Sequence, residues 1–182
     1  MDNLALTYWK QDRWEEAEKL SVQVMETFKT KLGADHPETL TSMANLVSSY
    51  MKLDRWEEAE KLGVQVMETS KTKLGADHLD IFTSMSKLAS TYRKQGRLEE
   101  AERLGVQVME TRKTKLGADH PETLLSTASL AHTWQDMGKS SEATDLMRSC
   151  VRLLQLRLGL DHPPTQFAIS TLNELEGGSY EG

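Results

Sequence analysis

The sequence contains little cysteine and proline and has no long hydrophobic run. Its 182 residues include a single cysteine, Cys150, so an intramolecular disulfide is impossible and a reducing compartment is the natural setting. No apolar segment approaches the roughly 20 residues that a membrane-spanning helix needs. The amino terminus also lacks the basic and apolar stretches of a signal peptide. We therefore expect a cytoplasmic protein that has no membrane partner.

The sequence also has no surplus of basic residues. There are 22 Lys and Arg against 28 Asp and Glu, which gives a formal net charge of -6. This balance disfavours nucleic acid as a partner, because binding to phosphates needs a basic surface. The 38% apolar and 27% charged residues are typical of a folded globular chain rather than of a disordered one.

The most informative feature is a repeat of 42 residues. The motif Leu-Gly-x-Asp-His begins at Leu32, Leu74, Leu116 and Leu158, with 42 residues between successive copies. Residues 37–78 and 79–120 are identical at 28 of the 42 aligned positions. We predict one repeat domain over 1–176, divided into units 1–36 (truncated), 37–78, 79–120 and 121–162 and a capping helix 163–176, followed by a disordered tail 177–182.

Each unit has the pattern of two helices. In the second unit, Asp35 is the expected N-cap, Glu38 would complete a capping box, and Pro37 suits the first turn. A second helix is predicted from about Arg55 to Leu74, with small residues on its buried stripe. At Gly63 and its counterpart Gly105, close contact with the next unit should compensate for the weak helix propensity of glycine. No period-2 alternation persists, so the fold is expected to be all-α. The apolar stripe of the first helix comprises Leu40, Met43, Leu46, Val47 and Tyr50.

These residues resemble the tetratricopeptide signature. Leu46 and Tyr50 on the first helix and Ala59 on the second correspond to its leucine, aromatic and small positions. The 42-residue unit Leu-Gly-x-Asp-His-Pro-x-Thr-Leu resembles the kinesin-light-chain type, which also occurs in fungal and bacterial NLR-like proteins. The resemblance implies a right-handed solenoid of helical hairpins, with the first helices on the concave face. It also implies a protein-interaction scaffold.

Catalytic, metal and cofactor sites are not expected. The four Asp-His pairs lie 42 residues apart and are better explained as helix caps than as ligands of a shared metal. Cys150 aligns with Val24, Val66 and Val108, which indicates a buried thiol. No phosphate-binding loop or nucleophile elbow is present, and we predict that the chain is not an enzyme.

The concave face that the resemblance implies is predicted to bind an extended, acidic peptide or partner segment. Family members hold the peptide main chain and carboxylates with asparagine and basic residues at matching positions. The acidic residues of this chain concentrate on the second helices, which leaves a basic face on the first helices. The candidate peptide-binding residues are Asn3, Asn45, Lys10, Lys52, Lys94, Lys87, Arg93, Ser48 and Ser90.

Three alternatives remain open. The register of lysines can be a solvated stripe that recent duplication has copied. The array can instead be a structural spacer or oligomerisation segment of a larger NLR-like or kinesin-light-chain-like protein. It can also self-associate through its ends. His132, which aligns with Ser48 and Ser90, is a further groove candidate for which an ordinary polar contact is the simpler role.

Overall fold

The protein was analysed as a computed structural model, which describes residues 7–8, 11, 13–74 and 79–177. Within these ranges the secondary structure consists of eight complete helices and no strand. The helices are α1 (Trp14–Leu32), α2 (Pro37–Lys52), α3 (Trp56–Leu74), α4 (Leu79–Lys94), α5 (Leu98–Leu116), α6 (Pro121–Asp136), α7 (Ser140–Leu158) and α8 (Pro163–Gly177). The predicted helices are therefore present, and none described is long and apolar enough to cross a membrane.

The chain divides into two compact units, residues 1–95 and 96–182. In the first unit, α1, α2, α3 and α4 pack sequentially, each against its neighbour in the chain. In the second, α5, α6, α7 and α8 pack in the same way, and α8 also contacts α6. The predicted tail begins one residue late, because Gly177 still belongs to α8. Residues 178–182 lie outside the described part.

The core of the first unit follows the predicted stripe of α2. Leu40, Met43, Leu46 and Val47 are all buried, and Tyr50 is half-buried. Ala59 on α3 has no exposed surface, which fits its proposed role of allowing close approach of two helices. In the second unit, Ala143 and Met147 of α7 pack in one apolar cluster with Ala168 and Leu175 of α8.

The hairpin turns explain the glycine positions. Gly96 and Gly138 have φ angles of 75° and 76°, and Asp54 takes the same left-handed conformation with φ 55°. In each of the turns after α2 and α6, a backbone N–H reaches back to an aromatic carbonyl. These bonds join Arg55 to Tyr50 at 2.9 Å and Lys139 to Trp134 at 2.8 Å. The bonds satisfy carbonyls that the helix end would otherwise leave without a partner.

The predicted N-cap was wrong by one residue. His36, not Asp35, caps α2, and its Nδ1 accepts a hydrogen bond from the Glu38 backbone N–H at 3.2 Å. His120 and Glu122 repeat this geometry in α6. Asp35 instead pairs with Lys73 at the end of α3, with 2.6 Å between carboxylate and ammonium. The aspartate therefore links neighbouring hairpins.

Candidate functional site

Six of the predicted binding residues meet in the first unit. Helices α2 and α4 place them around a pocket of about 400 Å³, here called the basic pocket. Among the described residues, its lining contains four cationic side chains and no acidic one. The lining residues are Ser48, Met51, Lys52, Trp56, Lys87, Ser90, Arg93 and Lys94. The register that spacing predicted therefore corresponds to one continuous surface between two first helices.

Lys52 lies at one edge of the basic pocket. Its side chain is exposed, and its Nζ lies 5.6 Å from the centre of the Trp14 ring. A cation over an indole face is attracted electrostatically by the ring. The aromatic ring therefore helps to orient the ammonium group at the mouth of the pocket.

Lys87 occupies the most enclosed position among these cations. Its Nζ donates a hydrogen bond to the Ala44 carbonyl at 2.6 Å, across from α4 to α2. Burial lowers its pKa from 10.5 to about 8. Ser48 also donates to the Ala44 carbonyl, at 3.3 Å, so this oxygen is shared by two side chains of the pocket.

Asn45 belongs to a second pocket of about 420 Å³, here called the serine pocket. Its side chain is exposed on α2, and Lys87 lines both pockets. The serine pocket exists where α3 carries the small residue Ser70, at a position that holds Phe28, Arg112 and Leu154 in the other copies. Its lining residues are Pro37, Leu40, Thr41, Ala44, Asn45, Val66, Ser70, Thr83, Ser84 and Lys87.

The remaining predicted residues are not part of these pockets. Asn3 and Lys10 lie outside the described residues, so their roles stay predictions. His132 is half-buried in the second unit. The corresponding row there contains Ser129, Gln135 and Asp136, so the basic register does not continue into α6.

Sequence analysis missed two lining residues, Met51 and Trp56. Trp56 was assigned only to the buried stripe of α3, although it is half-exposed beside the cations. A signal was present, because Trp14 and Trp56 occupy equivalent positions and the later copies have Leu98 and Ser140 there. Two tryptophans in register beside a basic row indicate a surface with both apolar and ionic contacts.

Cys150 is a buried free thiol, as its alignment with valines predicted. Its residue surface is 9% exposed, and burial raises its pKa to about 11. A thiol with a raised pKa is a poor nucleophile at neutral pH, because little thiolate is present. Across residues 7–8, 11, 13–74 and 79–177, no group of three His, Cys, Asp or Glu side chains is arranged to hold a metal ion.

Comparison with protein families identifies the architecture. A family model described as tetratricopeptide repeat matches residues 44–114 and 80–155, and another with the same description matches residues 1–38. The chain belongs to the tetratricopeptide repeat family. Proteins of this family generally act as protein-interaction scaffolds, and the family is not one of enzymes. The search of curated proteins found no match.

Solved structures support the kinesin-light-chain-like type of this repeat. A single-substitution form of a putative kinesin light chain with nearly identical TPR-like repeats, from Podosopora anserina, has TM-score 0.87 and 27% identity over 99% of this chain and 86% of that one. A second structure with the same description, without the substitution, has TM-score 0.81 and 24% identity, covering 100% and 95%. The all-α fold of repeated helical hairpins is thereby confirmed, as is the kinesin-light-chain-like type.

A more distant relative was solved with a peptide factor. A Rap protein complexed with Competence and Sporulation Factor has TM-score 0.76 and 12% identity, over 97% of this chain and 48% of that chain. At this identity the likeness concerns the fold alone.

Proposed function

We propose that the basic pocket binds an extended acidic segment of a partner protein. One observation carries the proposal: Lys52, Lys87, Arg93 and Lys94 line the same pocket, without an acidic residue among its described lining, in a chain whose net charge is -6. Concentrating positive charge on one face of an acidic protein disfavours folding unless another contribution offsets the repulsion. A carboxylate-bearing ligand removes that repulsion on binding.

The geometry assigns different roles to the residues around the pocket. Lys52 and Lys94 are exposed at its edge and are suited to pair with ligand carboxylates. Asn45 offers both a donor and an acceptor from α2, which suits capture of a peptide main chain. Met51 and Trp56 supply apolar surface for the stems of ligand side chains. A ligand that spans these groups must be extended.

The test is a peptide-library binding assay at low and at physiological salt. Lys52→Glu/Lys94→Glu is compared with the parent and with Lys61→Glu/Lys71→Glu, which changes the net charge equally at exposed residues of α3 outside both pockets. We expect acidic peptides to bind the parent and the control, more weakly as salt increases, because the Debye length falls to about 8 Å at physiological salt. Binding should be lost in the pocket variant.

Two results would contradict the proposal. The first is equal loss of binding in both charge-reversed proteins, which would indicate attraction by net charge rather than by the pocket. The second is absence of peptide binding in all three proteins. Sedimentation of the parent over a range of concentrations then tests the alternative, since a spacer or oligomerisation segment can show a concentration-dependent mass.

A further inference from the structure

Lys87 is an unusual residue in its row of the repeat. The equivalent positions hold Asn3, Asn45 and Ser129, so only the third copy places an amine here. The side chain reaches from α4 to the Ala44 carbonyl on α2, at 2.6 Å, and lines both the basic and the serine pocket. Its amino group is thus enclosed by protein on one side and adjoins open volume on two others.

The surroundings of this amine favour its neutral form. Its hydrogen-bond partner is an uncharged carbonyl, and the charged residues that share its pockets are Lys52 from α2 and Arg93 and Lys94 from α4, all cations. The residues that α3 contributes to these pockets, Trp56, Val66 and Ser70, carry no charge. Burial lowers the pKa of Lys87 to about 8. A neutral amine still has two N–H groups, so it keeps the bond to Ala44 while its lone pair becomes available.

We propose that Lys87 is a site of covalent acylation by a small anionic acyl donor of the acyl-phosphate class. The Nζ lone pair attacks the acyl carbon, a C–N bond forms, and the C–O bond to phosphate breaks. Phosphate leaves with the electron pair, and the nitrogen releases a proton to water, so no oxidant or reductant is required. The neighbouring cations Lys52, Arg93 and Lys94 attract the phosphate, while the pocket of about 400 Å³ has room for the reagent.

The product would change the charge of the pocket. An amide at Lys87 carries no positive charge, so the basic pocket loses one of its four cations. The acyl group also adds volume at the junction between the basic and serine pockets. Acylation is therefore a means of altering this surface without unfolding α4. The inference goes beyond the proposed function and does not depend on it, because it concerns only the reactivity of the folded chain.

The experiment uses acetyl phosphate as the probe. The full chain is incubated with it at about pH 7.5, and acetylation of each lysine is followed by peptide mass spectrometry. Lys87 should react at least about 10-fold faster than Lys52 and Lys94, because a far larger fraction of its amine is neutral at this pH. The preference should shrink by about pH 10, where exposed lysines also lose their protons.

Two controls separate the pocket from other causes. In urea-unfolded protein the preference for Lys87 should disappear, since the pocket is gone. Lys87→Asn, which introduces the residue of the second copy, should leave the helical circular dichroism unchanged and should not shift rapid labelling to Lys52 or Lys94. The inference is overturned if folded protein acetylates Lys87 no faster than those two lysines. It is equally overturned if the preference survives unfolding.

Discussion

The hydroxyl of Thr123 donates a hydrogen bond to the Gly117 carbonyl at 2.8 Å, closing the loop between α5 and α6. Thr39 and Gly33 make the same bond at 2.8 Å in the first unit. Gly33 and Gly117 both have φ 100° with extended ψ, a conformation that only glycine adopts readily. At the loop between α7 and α8, the hydroxyl of the equivalent Thr165 is buried without a hydrogen-bond partner. One threonine position thus has two different energetic roles.

This difference predicts opposite responses to the same substitution. Thr123→Val should lower the free energy of unfolding by about 1–2 kcal/mol, because a buried hydrogen bond is lost and the Gly117 carbonyl loses a partner. Thr165→Val should leave stability unchanged or raise it, since the removed hydroxyl has no partner. Urea denaturation of both variants checks the pair, and each serves as the other's volume-matched control. Equal destabilisation by both would contradict the assigned roles.

The helices could be predicted because they depend on local signals that the repeat shows several times. Pro37 and Pro121 begin α2 and α6, and the glycines after the hairpins take the expected left-handed conformation. The cap could not be predicted to the residue. Asp35 and His36 are adjacent and both have acceptor atoms, so only the path of the loop decides which one faces the helix.

Asp54 is predicted to be a suboptimal turn residue. It adopts φ 55° where Gly96 and Gly138 occupy the equivalent position, and a side chain is disfavoured there. Asp54→Gly should therefore raise the free energy of unfolding by about 0.5–1 kcal/mol, after allowance for the extra freedom of glycine in the unfolded chain. Urea denaturation measures the gain, and Gly96→Asp should show a loss. A decrease in stability for Asp54→Gly would show that the aspartate side chain stabilises the turn.

The two helical glycines of the second-helix stripe should respond differently to alanine. A Cβ at Gly63 would lie 3.7 Å from Leu88 Cδ1, an ordinary contact, whereas at Gly105 it would lie 3.3 Å from Leu130 Cδ1. The expected close contact is thus found at Gly105 but not at Gly63. Gly63→Ala should stabilise by about 0.5–1 kcal/mol through helix propensity.

Gly105→Ala provides the comparison for this prediction. The helix-propensity gain is the same, but Leu130 has no exposed surface and must move to admit the new methyl group. We expect a clearly smaller gain or a loss, measured by urea denaturation with the first variant alongside. If both substitutions stabilise equally, the packing around Leu130 yields more readily than its burial indicates.

The candidate site shows where prediction from a repeat stops. Register placed Ser48, Lys52, Ser90 and Lys94 on one surface correctly, because equivalent positions of stacked hairpins become neighbours. The partners of individual side chains were not accessible in this way. The contact of Lys87 with Ala44 joins residues 43 positions apart, and the contact of Lys52 with Trp14 depends on which rotamer a long flexible side chain adopts.

Glu102 links two hairpins in the second unit through a charged and a neutral donor. Its carboxylate lies 2.8 Å from Lys139 Nζ and accepts a hydrogen bond from Trp134 Nε1 at 2.6 Å. The bond from Lys139 is the main reason that the pKa of Glu102 lies below its usual 4.5. Because the folded-state pKa is the lower one, the unfolded chain binds the proton more readily. The stabilisation is therefore complete above the unfolded pKa and is lost as the pH falls through the folded value.

Glu102→Gln should reveal this linkage as a change in pH dependence. At about pH 7 the variant should be less stable than the parent, because the ion pair with Lys139 is gone. As the pH falls from about 6 to about 3, the parent should lose stability faster, so that the two unfolding midpoints converge. Thermal unfolding across this range measures the difference, with Glu99→Gln on the exposed face of α5 as the control. A constant difference between parent and Glu102→Gln at every pH would mean that the carboxylate acts by its shape and hydrogen bonding, not by its charge.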